Sequence, residues 1–110
     1  MPNSDLVFYV KLYVKPECID EWKSAVTDIV DHMSREAAFV SCTLHQDAQQ
    51  PNLFVLYERW NEPSVEAFLQ HQDTPYRRAY EALLPALLER PREPSVLIPL
   101  NEWHRAQPAA

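Results

Sequence analysis

Glycine is absent from this chain of 110 residues. Phosphate-cradling loops depend on it, because only a residue without a Cβ takes positive φ freely and lets the backbone approach a phosphate closely. A Walker loop and a GxGxxG fingerprint are therefore excluded, and with them the standard glycine-loop modes of holding nucleotides, NAD and FAD. A flavin held by other means stays open. Cysteine is scarce, with two residues. Cys18 and Cys42 are not in CxxC spacing, which points to reduced structural thiols rather than a disulfide or a nucleophile. Apolar runs fall well short of the roughly 20 residues that cross a bilayer. The start, MPNSDLVFYV, lacks the basic region, long apolar core and small-residue cleavage site of a signal peptide, and the expected location is cytoplasmic. Positive charge is also short, with ten Lys and Arg against sixteen Asp and Glu for a net charge of −6. That sign is wrong for a phosphate backbone, and no basic stripe is longer than Arg77-Arg78. The expectation is no nucleic acid and no membrane as partner. The histidines His32, His45, His71 and His104 show no HExxH or HxH spacing, so no metal site is expected.

What remains is an ordinary globule, 46% hydrophobic and 24% charged. The length suits a single domain over residues 1–110, with a core at about 5–100 and a C-terminal arm at 101–110. The run DLVFYVKLYV, residues 5–14, is rich in β-branched and aromatic residues and predicts the first strand. Pro16 suits the first turn of a helix in which Ile19, Trp22, Val26, Ile29, Val30 and Met33 recur at helical spacing. Strands at Phe39–Gln46 and Leu53–Trp60 flank the turn residues 47–52 and predict an antiparallel hairpin. A short helix at Pro63–His71 follows. Thr74 and Pro75 then read as the cap and first residue of a helix running to about Arg90, kinked at Pro85. Residues 95–100, SVLIPL, predict a last edge strand, and the tail an arm ordered at Trp103.

The order β, α, β, β, α, β predicts an α+β, ferredoxin-like layout, an antiparallel sheet with helices on one face. The first and third strands are apolar or aromatic on both faces, so the bare face needs a cover. A second copy of the sheet is the economical one, which predicts a homodimer around a shared barrel-like core.

The runs Leu44-His45-Gln46-Asp47 and Pro51-Asn52-Leu53-Phe54-Val55-Leu56-Tyr57-Glu58-Arg59-Trp60, followed by His71-x-x-Thr74-Pro75-Tyr76, carry a resemblance. They resemble the antibiotic biosynthesis monooxygenase domain, most of all its small quinol monooxygenase-like branch, over roughly residues 5–100. The resemblance implies a dimeric α+β barrel and a cavity between sheet and helices. It also implies oxidation of electron-rich phenols and quinols by O2 without metal or flavin, hence no cofactor. There are departures. Glu36-Ala37-Ala38-Phe39 stands where the family often has Glu-Pro-Gly-Cys, and the spacing from Trp60 to His71 is longer than usual, leaving Leu69 as the gapless counterpart of the family histidine. Leu56 replaces the Asn of the polyketide-tailoring branch. The haem-ligating histidine of the degrading branch would fall near Tyr80, and the first strand has no Asn.

Triplet O2 reacts slowly with a closed-shell phenol, whereas a phenolate or quinolate is a far better one-electron donor. Such a site needs a base and a dry, shaped pocket. His71 is the expected base, histidine being the side chain type whose unperturbed pKa lies near neutrality, and Glu58 the carboxylate that orients it. Period-two alternation puts Glu58 on the face of Phe54, Leu56 and Trp60, where it is either a site carboxylate or the ion-pair partner of Arg77 or Arg78. Trp60 reads as a flat wall for a ring or as core, and Tyr76 and Tyr80 as donors to a substrate oxygen or as core. His45 joins Glu58's face in only one hairpin register. His32, four after Asp28, either reaches the cavity or pairs on the helix surface. The expected function is a cofactor-independent monooxygenase acting on a small aromatic quinol or phenol with O2. The alternatives are an isomerase or degradative enzyme for a small oxygenated metabolite, and a dimer that binds a small ligand without turning it over.

Overall fold

The computed structural model describes residues 5–106. Strand β1 spans Asp5–Tyr13, helix α1 Ile19–Met33, β2 Phe39–Gln46, β3 Leu53–Asn61, α2 Val65–His71, α3 Pro75–Leu87 and β4 Glu93–Leu97. The sheet is antiparallel in the order β2-β3-β1-β4. This is the ferredoxin-like α+β layout. Pairing of Phe8 with Glu58, Val10 with Leu56 and Leu12 with Phe54 lines one sheet face with large apolar side chains. Against them α1 sets Trp22, Val26, Ile29 and Met33, and α3 sets Tyr80, Leu84 and Leu87, the inward positions of two amphipathic helices. These residues form one core cluster.

Local chemistry explains the connections. The β2–β3 turn closes without glycine because the Asp47 carboxylate accepts the backbone N–H groups of Gln49 and Gln50 at 3.0 and 2.8 Å, an Asx turn. No described residue takes positive φ. Ser64 Oγ caps α2 by accepting from the Ala67 N–H, which starts that helix at Val65 rather than Pro63. Thr74 Oγ1 caps α3 in the same way through Arg77, with Pro75 in its first turn. The helix stops at Leu87, short of the expected Arg90, because the chain after it is captured by the end of β1. Lys15 donates to the Leu87 carbonyl, Glu89 donates to that of Tyr13, and Leu88 bridges Val14.

The last strand begins earlier than expected, at Glu93, and ends before Pro99. It is an edge strand, where N–H groups are needed only at alternate positions and Pro94 is tolerated opposite Val10. Beyond it, Glu102 reaches Arg59 on the far sheet face at 3.5 Å. Trp103 is not docked, being 83% exposed. Among the described residues no helix is long and apolar enough to cross a membrane.

Candidate functional site

The face of the sheet that carries Phe8, Val10, Leu56 and Glu58 does not close completely on the helices. Between them lies a cavity of about 280 Å³, walled by those strands, by Ile29 and Met33 of α1, and by Val65, Phe68 and Leu69 of α2. Four polar side chains reach it, namely Glu58, Arg77, Tyr80 and Arg92.

Glu58 is buried among apolar neighbours, as alternation along β3 requires. Its Oε1 accepts a hydrogen bond from the indole Nε1–H of Trp60 at 3.1 Å, and among the described residues it makes no ion pair. The neighbouring Cys42, opposite it on β2, has its thiol pushed up to about 12, first by burial and then by the Glu58 charge. That cysteine is a protonated structural residue. The Tyr80 hydroxyl, also buried, accepts from Trp22 Nε1–H at 3.2 Å and is held above the ordinary phenol range chiefly by desolvation. Its own proton has no acceptor among the described residues.

Arg77 and Arg92 arrive from different parts of the chain, the first turn of α3 and the residue before β4. Glu81 holds them both, at 3.8 Å from Arg77 Nε and in direct contact with Arg92. Arg77 is further fixed by donating to Gln72 Oε1 at 3.1 Å and by lying over the Phe68 ring at 5.3 Å.

The profile of the antibiotic biosynthesis monooxygenase family matches residues 6–83, well over half of the chain. The chain belongs to the antibiotic biosynthesis monooxygenase family. Solved structures of the same fold include Rv0793 from Mycobacterium tuberculosis, 25% identical, with a TM-score of 0.79 over 90% of this chain and 98% of that one. PA3566 from Pseudomonas aeruginosa is 22% identical, with a TM-score of 0.78 over 92% and 99%. SnoaB, a cofactor-independent oxygenase from Streptomyces nogalater, is 19% identical, with a TM-score of 0.78 over 91% and 97%. A comparison with curated proteins gives no match.

In this member of the monooxygenase family the expected pair of His71 and Glu58 is not formed. The cavity-lining set of α2 is Val65, Phe68 and Leu69, at i, i+3 and i+4, with Phe68 buried and Leu69 at the rim. That set turns His71 away to the end of β3, where its Nδ1 lies 2.8 Å from Glu62 Oε2. The His71 side chain is 64% exposed and that of Glu62 3%. Leu69, the gapless counterpart, stands at the cavity. His45 pairs with Val55 and so points to the opposite sheet face from Glu58. His32 stays on α1, its Nδ1 2.9 Å from the Asp28 carbonyl, with its ring stacked on Tyr76 at 5.0 Å. Tyr76 donates to Glu36, and so does Gln72, a polar clasp outside the cavity lining. Trp60 is fully buried, edge-on to Phe39 and Phe68, and does not line the cavity itself, meeting it from behind through its bond to Glu58 and its contact with the Phe68 wall. Of the expected site residues, Glu58 and Tyr80 are the two that line the cavity.

Arg92 and Glu62 are residues that pattern reading passed over. Both carried a signal. Arg92 alternates with Pro94 and Val96 on the cavity side of β4, and Glu62 with Glu58 and Trp60 on the buried side of β3. Among the described residues no group of His, Cys, Asp and Glu could hold a metal ion.

Proposed function

We propose that the chain is a cofactor-independent monooxygenase that oxidises a small phenol or quinol with O2 in the cavity under Glu58. The observation that carries this reading is a buried carboxylate with one oxygen held by the Trp60 indole, facing an apolar cavity of about 280 Å³. That volume lies just below the ordinary ligand range of roughly 300–1,000 Å³ and suits one or about two fused rings. Membership of the family supports the class of reaction.

The substrate hydroxyl donates to the open side of the Glu58 carboxylate, which draws proton density from it. Tyr80, kept protonated by burial, donates its free O–H to a substrate oxygen and stabilises charge as it develops. The electron-rich ring passes one electron to O2, and the resulting pair recombines at a ring carbon bearing hydrogen. Collapse of that hydroperoxide leaves one oxygen on the ring as a quinone carbonyl. The other departs as water with the hydroxyl hydrogen and the ring hydrogen. Apolar walls seat the ring and O2 and keep bulk water from the reactive oxygen species. Trp60 acts as a positioning residue for Glu58.

The working form is a cytoplasmic homodimer joined through the far sheet face. Exposed Tyr9 on that face, and Ile98, Leu100 and Trp103 in the chain that follows β4, at 82%, 85% and 83% exposure, support this cover. The test is O2 uptake by metal-free protein on a panel of hydroquinones and anthrone-like phenols, against Glu58→Gln and buffer autoxidation. Enzyme-dependent uptake lost in Glu58→Gln is expected. Uptake no faster than buffer across the panel would remove the oxygenase reading.

A further inference from the structure

The polar groups of the cavity are not mixed at random. Glu58 lies on the sheet at the inner side, whereas Leu69, Arg77 and Arg92 line both the cavity and a surface depression that also takes in Gln72, Asp73, Arg78 and Glu81. These three residues are the partition between the cavity and this depression, so a ligand entering from this side passes two guanidinium groups. Both are well covered, with side chains 18% and 28% exposed. Their single shared counter-ion is Glu81, itself 40% exposed, so at this mouth two guanidiniums face one carboxylate, while Glu58, the cavity's other carboxylate, is held by Trp60 and pairs with neither. This stands out in a chain whose net charge is −6. A neutral quinol offers no charge to match it, and two partly covered guanidiniums held in place offer the planar donor forks that carboxylates accept.

We propose that the substrate carries a carboxylate, received by Arg77 and Arg92 at the mouth of the cavity, while its phenolic ring lies further in against Glu58. This names the substrate class of the site and rests on reading the cavity as the place where substrate binds. The ligand then has a hydroxyl donor at one end and an anion at the other. A ring bearing only hydroxyls satisfies Glu58 but offers the guanidiniums a neutral oxygen in place of a charge-matched, two-oxygen acceptor. The phenolate formed during oxidation does not substitute for the carboxylate, because it arises at the hydroxyl facing Glu58.

The test uses two probes of the same shape that are not oxidised, naphthalene-2-carboxylate and naphthalene-2-carboxamide, titrated into the full chain by calorimetry. The carboxylate is expected to bind at least about tenfold more tightly than the amide, the scale of one charge-assisted hydrogen bond. Arg92→Gln should bring the two probes close to parity. Glu81→Gln, which removes the internal counter-ion without removing a guanidinium, should widen the preference, and a gain of this kind cannot come from misfolding. Equal binding of the two probes, binding of neither, or a preference that survives Arg92→Gln or shrinks in Glu81→Gln overturns the proposal. Neither probe reports on oxidation. A preserved carboxylate preference with no O2 uptake on any phenol would remove the oxygenase reading alone, and uptake without that preference would remove only the carboxylate.

Discussion

Replacing Trp60 with Phe isolates the contact on which the site depends. The substitution keeps an aromatic ring between Phe39 and Phe68 but deletes the indole N–H that reaches Glu58 Oε1 at 3.1 Å. A hydrogen bond to a charged group in a buried setting is worth about 1.5–3 kcal/mol. The missing part of the larger ring leaves a void costing roughly 1–2 kcal/mol more. The expected loss is about 2.5–5 kcal/mol, a large share of the 5–15 kcal/mol typical of a domain. Urea unfolding followed by far-ultraviolet circular dichroism measures it, a signal that does not depend on indole fluorescence. The void and the hydrogen bond separate in a double-mutant cycle with Glu58→Leu, since only the hydrogen bond needs both partners. A coupling energy of at least about 1.5 kcal/mol is expected. If the two single costs add to within about 0.5 kcal/mol, Trp60 does not hold Glu58 and its role as a positioning residue is refuted.

Glu58→Gln should retain most of the stability, because the amide oxygen still accepts from Trp60, yet lower O2 uptake on the best phenol by about a hundredfold or more; an unchanged rate would place the base elsewhere. His71→Ala should leave uptake intact and cost about 1 kcal/mol in urea unfolding, since the lost partner is largely in water while the Glu62 carboxylate it served is buried; loss of activity at unchanged stability would restore His71 to the site. Cys42 contributes a pH dependence. Its thiol is raised in the folded state from 9.0 to about 12, so the stability it brings is complete below pH 9.0 and drains as pH climbs from 9.0 toward 12. The drop in urea midpoint between about pH 8 and about pH 10.5 should therefore be smaller in Cys42→Ala than in the parent chain, and equal drops would contradict the burial of that thiol. In the same way Cys42 should resist iodoacetamide at about pH 8 until the protein is unfolded.

Sequence alone determined what depends on neighbours along the chain. Alternation fixed Glu58 on the face of Phe54, Leu56 and Trp60, because successive side chains of a strand point to opposite faces whatever surrounds them. The α1 stripe and the Thr74-Pro75 start of α3 were legible for the same kind of reason, helical period and capping being local. The boundaries that moved were those that distant chain decides, such as α3 ending at Leu87, where the end of β1 takes over its backbone hydrogen bonds. Tertiary structure alone decided the site. A register of the hairpin put His45 on the far face, and the burial of Phe68 set a rotation of α2 that sent His71 to Glu62 and Leu69 to the cavity rim. The return of the chain after α3 brought Arg92 to Glu81, the carboxylate that Arg77 also meets, across a 15-residue separation in the chain. A histidine is the natural guess for a base near neutral pH, but its chemistry cannot say where its helix will turn it. That depends on how apolar surface is divided between helix and sheet, which no local pattern contains.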